Sequence, residues 1–243
     1  MRLKLMIQYD GTAYAGWQTQ PNGPTVQAAV ERAVEGVEGS RRVVHGAGRT
    51  DAGVHALGQV AHVDVEKPLA PEVWLRALNA NLARDIRITG AEAVDTEFHA
   101  RMSATNKLYR YRVWTAPVVS PFERLYVTHA PRRHDLDKMR EAAGLLVGRH
   151  DFEAFTVADR ETKTSVRELR RLDVGEDGPV LTISAEADGF LRAMVRTLAG
   201  TLLAVGDGRM EPERAGRALA EKRRELAGAT APAPGLTLVR VDY

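Results

Sequence analysis

Residues 1–39 read MRLKLMIQYDGTAYAGWQTQPNGPTVQAAVERAVEGVEG, and two different periods follow one another within them. Leu3, Leu5, Ile7 and Tyr9 recur at every second position, the spacing of a strand with one buried face. From Val26 the spacing changes: Val26, Ala29, Val30, Ala33, Val34 and Val37 recur at three and four, which lines one face of a helix. Thr25 supplies an N-cap, and Gly36 and Gly39 mark the end. A strand followed by a helix of complementary apolar face predicts that the helix covers the strand.

Outward from this pair, Arg42–His45 and Gln59–Val65 read as strands, Pro71–Leu82 as a helix with proline in its first turn, and Ile86–Ala93 as a further strand. That order matches a split βαβ, ferredoxin-like unit. After Arg101 a comparable series begins, with a strand at Lys107–Trp114, a helix from about Leu136 to Leu146, and a strand pair at Val166–Val174 and Val180–Ala187. Two helices and a closing strand, Leu236–Val241, complete it. The first of those helices sets Phe190, Leu191, Met194, Val195, Leu198, Leu202 and Leu203 on one stripe. The expectation is an α+β fold of two ferredoxin-like α/β halves, residues 1–105 and 106–243, with mixed, mostly antiparallel sheets joined around a central cleft, where ligands are commonly held. Thr156–Ser165, polar and without periodicity, reads as a mobile loop over a site or as a long hairpin connection. Residues 229–235, Ala-Thr-Ala-Pro-Ala-Pro-Gly, read as a short stiff connector.

The chain contains no cysteine, which excludes disulfide scaffolds, thiolate nucleophiles and thiolate metal sites and makes a cytoplasmic setting the default. The start alternates too early for an export signal, and no window approaches the roughly 18 uninterrupted apolar residues of a membrane span. A soluble protein without membrane contact is expected. Net charge is only +2, from 34 basic and 32 acidic residues. The basic residues gather, however, at Arg41–Arg42, at Lys107, Arg110 and Arg112, at Arg132–Arg133, at Arg167, Arg170 and Arg171, and at Arg192 and Arg196. Such clusters suit a phosphate backbone, or else they are solvated faces balanced by acidic neighbours.

The densest chemical signal is GAGRTDAGVHALGQV, residues 46–60, in which four glycines bracket Asp51 in a tight loop between two predicted strands. Three readings compete for it: a phosphate-binding loop, a metal site using Asp51 and His55, and a turn whose aspartate caps its own backbone. Neither GxGxxG after a strand nor GxxxxGK[ST] is present, which weakens the first. A metal needs three or four convergent ligands, and only His45, His55 and His62 lie nearby. Composition and spacing therefore leave Asp51 a turn aspartate.

The whole string nevertheless resembles the active-site loop of the TruA family of tRNA pseudouridine synthases, GRTDxGVHA following YDGxxYxGWQ. This chain has Tyr9-Asp10-Gly11, Tyr14, Gly16-Trp17-Gln18 and then Gly48 to Ala56, in that order. Further matches run through Asn79-Ala80-Asn81-Leu82, Phe98-His99-Ala100-Arg101, Ser103-Ala104-Thr105, Tyr109-Arg110-Tyr111, His150-Asp151-Phe152, Met194-Val195-Arg196 and Val241-Asp242-Tyr243. The stretch from Thr156 to Arg167 follows the family least closely.

The resemblance implies isomerisation of uridine to pseudouridine at tRNA positions 38, 39 and 40, in the anticodon stem and loop, with no metal and no organic cofactor. It also implies a homodimer in which both subunits contact the tRNA. Asp51 becomes the nucleophile. Arg196, in the Met-Val-Arg segment, becomes the cation that keeps it ionised; otherwise it is a surface helical arginine. Arg192 and Arg196, four apart, would share one helical face, so that Arg196 reaches inward while Arg192 meets phosphate. Tyr109 becomes the tyrosine against the uracil, where composition alone makes it, like Tyr111, a sheet-core aromatic. Arg49 becomes the residue associated with turning the target base out of the stack, or else a salt bridge that fixes the loop. Trp17 is expected to pack beside that loop. Two rival functions would use the same residues differently: a non-catalytic RNA-binding module, and a hydrolase of nucleoside glycosidic bonds.

Overall fold

The computed structural model describes residues 1–157 and 164–243, and its contacts divide the chain into two compact units. The first, residues 1–105 with 237–243, runs β1 (Arg2–Tyr9), α1 (Val26–Glu38), β2 (His45–Gly46), β3 (His55–Asp64), α2 (Pro71–Asn81) and β4 (Ile86–Val94). The second, residues 106–236, runs β5 (Asn106–Trp114), β6 (Thr128–His129), α3 (Leu136–Gly144), β7 (Gly148–Asp151), β8 (Val166–Asp177), β9 (Val180–Ala187), α4 (Met194–Gly206) and α5 (Pro212–Glu221). The chain closes with β10 (Leu236–Asp242). The architecture is α+β with mixed pairing, as the order of periods requires. Of the stretch Thr156–Ser165, residues 158–163 lie outside the described residues, and with them the loop expected there.

In the first unit β1 buries Leu3, Leu5, Ile7 and Tyr9 and pairs antiparallel with both β3 and β4. α1 starts on Thr25, whose extended backbone lets its hydroxyl accept the Ala28 N–H, and ends on Gly39 at φ 84°, whose N–H closes on the Glu35 carbonyl at 2.7 Å. Val26, Val30, Ala33 and Val34 of α1 and Trp74 and Leu78 of α2 join the β1 side chains in the core. Burial of this kind contributes roughly 1.5–3 kcal/mol per large apolar side chain.

Two strand expectations shift. Arg42–His45 is a strand only at His45–Gly46, because the backbone before it bonds to α1 side chains instead: the buried Glu31 carboxylate accepts the Val44 N–H at 3.2 Å and the Gln27 amide donates to the Val44 carbonyl at 3.0 Å. The strand expected at Gln59 begins at His55. Residues 237–243, expected with the second half, belong to the first unit, where Thr237 and Leu238 pair parallel with His55 and Ala56.

The sheet of the second unit runs β5, β9, β8, β7 with every neighbour antiparallel, and β6 adds parallel to the end of β5. α3 packs on α4, α5 and β8. α4 begins at Met194 and not at Phe190, since Ala193 takes a left-handed φ of 57° that turns the chain before the helix. Among the described residues no helix is long and apolar enough to cross a membrane.

Candidate active site

Asp51 lies in the loop between β2 and β3, and the sequence before and after it explains how that loop is held. The segment Asp10–Trp17 runs against it backbone to backbone. A side chain at Gly11 would overlap the Val54 carbonyl, and one at Gly16, where φ is 102°, would meet the Thr50 carbonyl at 2.6 Å. Only glycine allows both the close approach and the left-handed turn. The Trp17 N–H donates to the Thr50 carbonyl at 3.0 Å, and the Val54 N–H closes the turn on the Asp51 carbonyl at 3.1 Å. Trp17 is buried, its indole against Gly46 and 6.1 Å from the Tyr9 ring, so it packs beside the loop as expected.

Side chains brace the same loop from within the unit. The Tyr9 hydroxyl lies 2.8 Å from the Thr50 hydroxyl, and the buried Gln59 amide donates to the Gly48 carbonyl at 2.9 Å. Burial pushes the Tyr9 phenol up to about 12, so it stays protonated. The Gly11 N–H and the Asp10 carboxylate both meet Nδ1 of the buried His55, at 3.1 Å and 3.2 Å. Thr50 is buried, Asp51 half-buried and Arg49 exposed. Sequence reasoning missed the brace by Tyr9, Thr50 and Gln59. Its signal was a tyrosine where the β1 pattern asks only for an apolar side chain.

Tyr109 and Arg196 belong to the second unit. Tyr109 is buried on β5, and the Phe190 ring, displaced from the helix, meets it edge-on with centroids 5.2 Å apart. Tyr111 is fully buried, bonds to the Thr128 hydroxyl at 2.6 Å and donates to the Pro232 carbonyl at 2.8 Å. Burial pushes it up to about 12, and it is a core residue as expected. Arg196 is half-buried in the first turn of α4, and its Nε donates to the Ala231 carbonyl at 2.8 Å. Arg192 is not one turn back on the same helix: it precedes α4, is exposed, and its carbonyl accepts the Thr156 hydroxyl at 2.9 Å. The cause is again the turn at Ala193. The 229–235 connector thus holds Arg196, a role no periodicity announces.

Many of the basic clusters are balanced by acids. Arg42 pairs with Glu38 and Glu66, Arg112 with Glu123, Arg132 with Asp207, and Arg171 with Asp173 and Glu186. His45, His62 and His99 cluster in the first unit, with His45 stacked on His62 at 4.9 Å and His99 edge-on to it at 4.7 Å. Nδ1 of His62 accepts the Ala100 N–H, and Nδ1 of His99 accepts the N–H groups of Arg101 and Met102. Among the described residues no group of three or more His, Cys, Asp or Glu side chains is arranged to hold a metal ion.

Asp51 thus stands on a glycine-framed, internally braced loop of an α+β protein. Comparison with known proteins identifies the family. A family model described as tRNA pseudouridine synthase matches residues 5–102 and 142–243. A tRNA pseudouridine synthase A of Bacillus pumilus is 45% identical over 245 aligned positions, spanning 100% of this chain and 99% of the relative. Proteins of the same name from Shouchella clausii and Syntrophotalea carbinolica are 45% and 44% identical, covering 100% and 99% of this chain and 93% and 96% of their own lengths. The chain belongs to the tRNA pseudouridine synthase family. It is an isomerase that converts uridine to pseudouridine in tRNA.

Proposed function

We propose that this enzyme modifies uridines 38, 39 and 40 of the tRNA anticodon stem and loop, with Asp51 as nucleophile. The observation that carries the reading is the Asp51 loop, whose backbone is fixed by Trp17, Val54 and the two close-approach glycines while Asp51 itself is only half-buried. Effective catalysis by one carboxylate needs that kind of preorganisation.

The reaction breaks the bond from N1 to C1′, turns the uracil and forms a bond from C5 to C1′. In one route Asp51 attacks C1′ and the N1–C1′ electron pair leaves on the uracil; C5 then attacks C1′, the carboxylate departs, C5 loses its proton and N1 gains one. In the other, Asp51 removes the C2′ proton, the uracil leaves with the N1–C1′ electron pair to give a glycal, C5 adds to C1′ as the proton returns to C2′, and C5 then loses its proton while N1 gains one. In this reading the second unit contributes Tyr109, which faces the uracil and assists loss of the C5 proton, and Arg196, which favours the ionised carboxylate. Arg49 stabilises the nucleotide turned out of the stack. The enzyme works as a homodimer in the cytoplasm without metal or cofactor.

Purified protein is incubated with unmodified tRNA transcripts, pseudouridine is mapped by chemical labelling, and Asp51→Asn is run in parallel. Pseudouridine confined to the anticodon arm, with the variant reduced at least about a thousandfold and its tRNA affinity retained, is the expected result. Full activity of Asp51→Asn, or modification elsewhere in the tRNA, overturns it.

A further inference from the structure

The alternating apolar face of β1 carries Leu3, Leu5 and Ile7 and then Tyr9, buried with 5% of its surface exposed. A hydroxyl taken into such a core must be hydrogen-bonded to be tolerated. Its nearest partner, at 2.8 Å, is the hydroxyl of Thr50, the residue immediately before Asp51. The Gln59 amide approaches the Tyr9 oxygen at 3.5 Å while donating to the Gly48 carbonyl at 2.9 Å. Since an amide N–H can only donate, the Tyr9 oxygen accepts from Gln59, and either hydroxyl of the Tyr9–Thr50 pair can supply the hydrogen between them. The Thr50 carbonyl is meanwhile held by the Trp17 N–H at 3.0 Å. Thr50 is therefore fixed at both its backbone and its side chain, one peptide unit from the carboxylate.

We infer that Tyr9 is a positioning residue for the isomerisation, acting through the Thr50 hydroxyl to hold the Asp51 carboxylate where it meets the sugar. The inference rests on Asp51 being the reacting carboxylate. Tyr9 touches no substrate, and its hydroxyl contributes orientation. A misplacement of about 1 Å in a reacting group lowers a rate on the order of a hundredfold. Loss of this hydroxyl therefore lowers the rate of the chemical step and leaves the binding of tRNA alone.

The test measures single-turnover isomerisation and tRNA Kd, per folded protein, for Tyr9→Phe, Thr50→Val, the double variant, Thr50→Ser and Asp51→Asn. The expected result is a loss of roughly tenfold to a hundredfold in rate for Tyr9→Phe and for Thr50→Val, with Kd within about twofold of the parent. The double variant is no slower than the slower single variant, because both remove one contact. Thr50→Ser keeps the hydroxyl and keeps the rate. A Tyr9→Phe enzyme of full rate, a parallel loss of affinity, effects that multiply in the double variant, or a Thr50→Ser enzyme as slow as Thr50→Val overturns the inference. If Tyr9→Phe folds poorly, the contrast between Thr50→Ser and Thr50→Val decides alone. An inactive Asp51→Asn beside a fully active Tyr9→Phe rejects the brace and leaves the nucleophile in place, whereas an active Asp51→Asn rejects the nucleophile itself.

Discussion

Arg196 and Ala231 hold each other through two hydrogen bonds, the Arg196 Nε donating to the Ala231 carbonyl at 2.8 Å and the Ala231 N–H donating to the Arg196 carbonyl at 3.0 Å. The segment that supplies Ala231 lies flat on α4, so the guanidinium of Arg196 is oriented by backbone that is itself packed on the same helix.

That packing depends on Gly200, where an added Cβ would overlap the Ala229 carbonyl. Gly200→Ala therefore lifts the connector from α4, destabilises the fold by about 1–3 kcal/mol and loosens Arg196. Thermal denaturation together with pseudouridine yield reads both effects. A variant as stable and as active as the parent would show that the connector does not hold Arg196.

Ala193, at φ 57° and ψ 7°, carries a backbone conformation that costs an L-residue about 1–2 kcal/mol. Glycine removes that cost and adds some unfolded-state freedom, so Ala193→Gly stabilises the protein by roughly 0.5–1 kcal/mol. Denaturant unfolding at constant m-value measures it. Destabilisation by this variant would mean that the alanine methyl packs well enough to outweigh the strain.

His62 sits among His45, His99 and Arg2, and burial followed by the two histidines lowers it from its ordinary 6.5 to about 4. The unfolded chain thus takes up a proton at a pH where the folded chain does not, and folding stability falls as pH drops from about 6.5 toward about 4. His62→Gln keeps a side chain able to accept the Ala100 N–H and flattens that slope. Chemical denaturation at a series of pH values compares the two, and identical slopes reject His62 as the source.

How much of this was legible in the residues differs from element to element. β1 and α1 announced themselves through a change from period two to period 3.6, and Thr25 and Gly39 ended α1 where their chemistry requires. The strand at Arg42–His45 was misjudged because its backbone partners are Glu31 and Gln27 on a helix, a competition that local propensity does not contain. The early helix start at Phe190 failed for a similar reason: Phe190 and Leu191 continue the apolar stripe of α4, yet a left-handed alanine interrupts the chain after them. The Asp51 loop was legible as a glycine-rich turn, and the chemistry proposed for it only through resemblance, since nothing in a lone aspartate between glycines separates a nucleophile from a capping residue. Tyr9 and Ala231 could not be found by pattern, because each acts through a contact with a residue more than 30 positions away.

The return of β10 to the first unit makes that unit discontinuous along the chain. The β3 edge is shared, with β2 on Ala61 and His62 and β10 on His55 and Ala56, and Tyr243 ties down the far end by donating to the Ala100 carbonyl at 2.8 Å. During synthesis, the stretch of β3 that follows the Asp51 loop waits for its neighbour until the whole second unit has left the ribosome. The order of translation thus delays completion of the first unit, and a nascent chain released before residue 237 exposes an unpaired strand edge beside that loop, a template for mispairing that chaperones exist to shield.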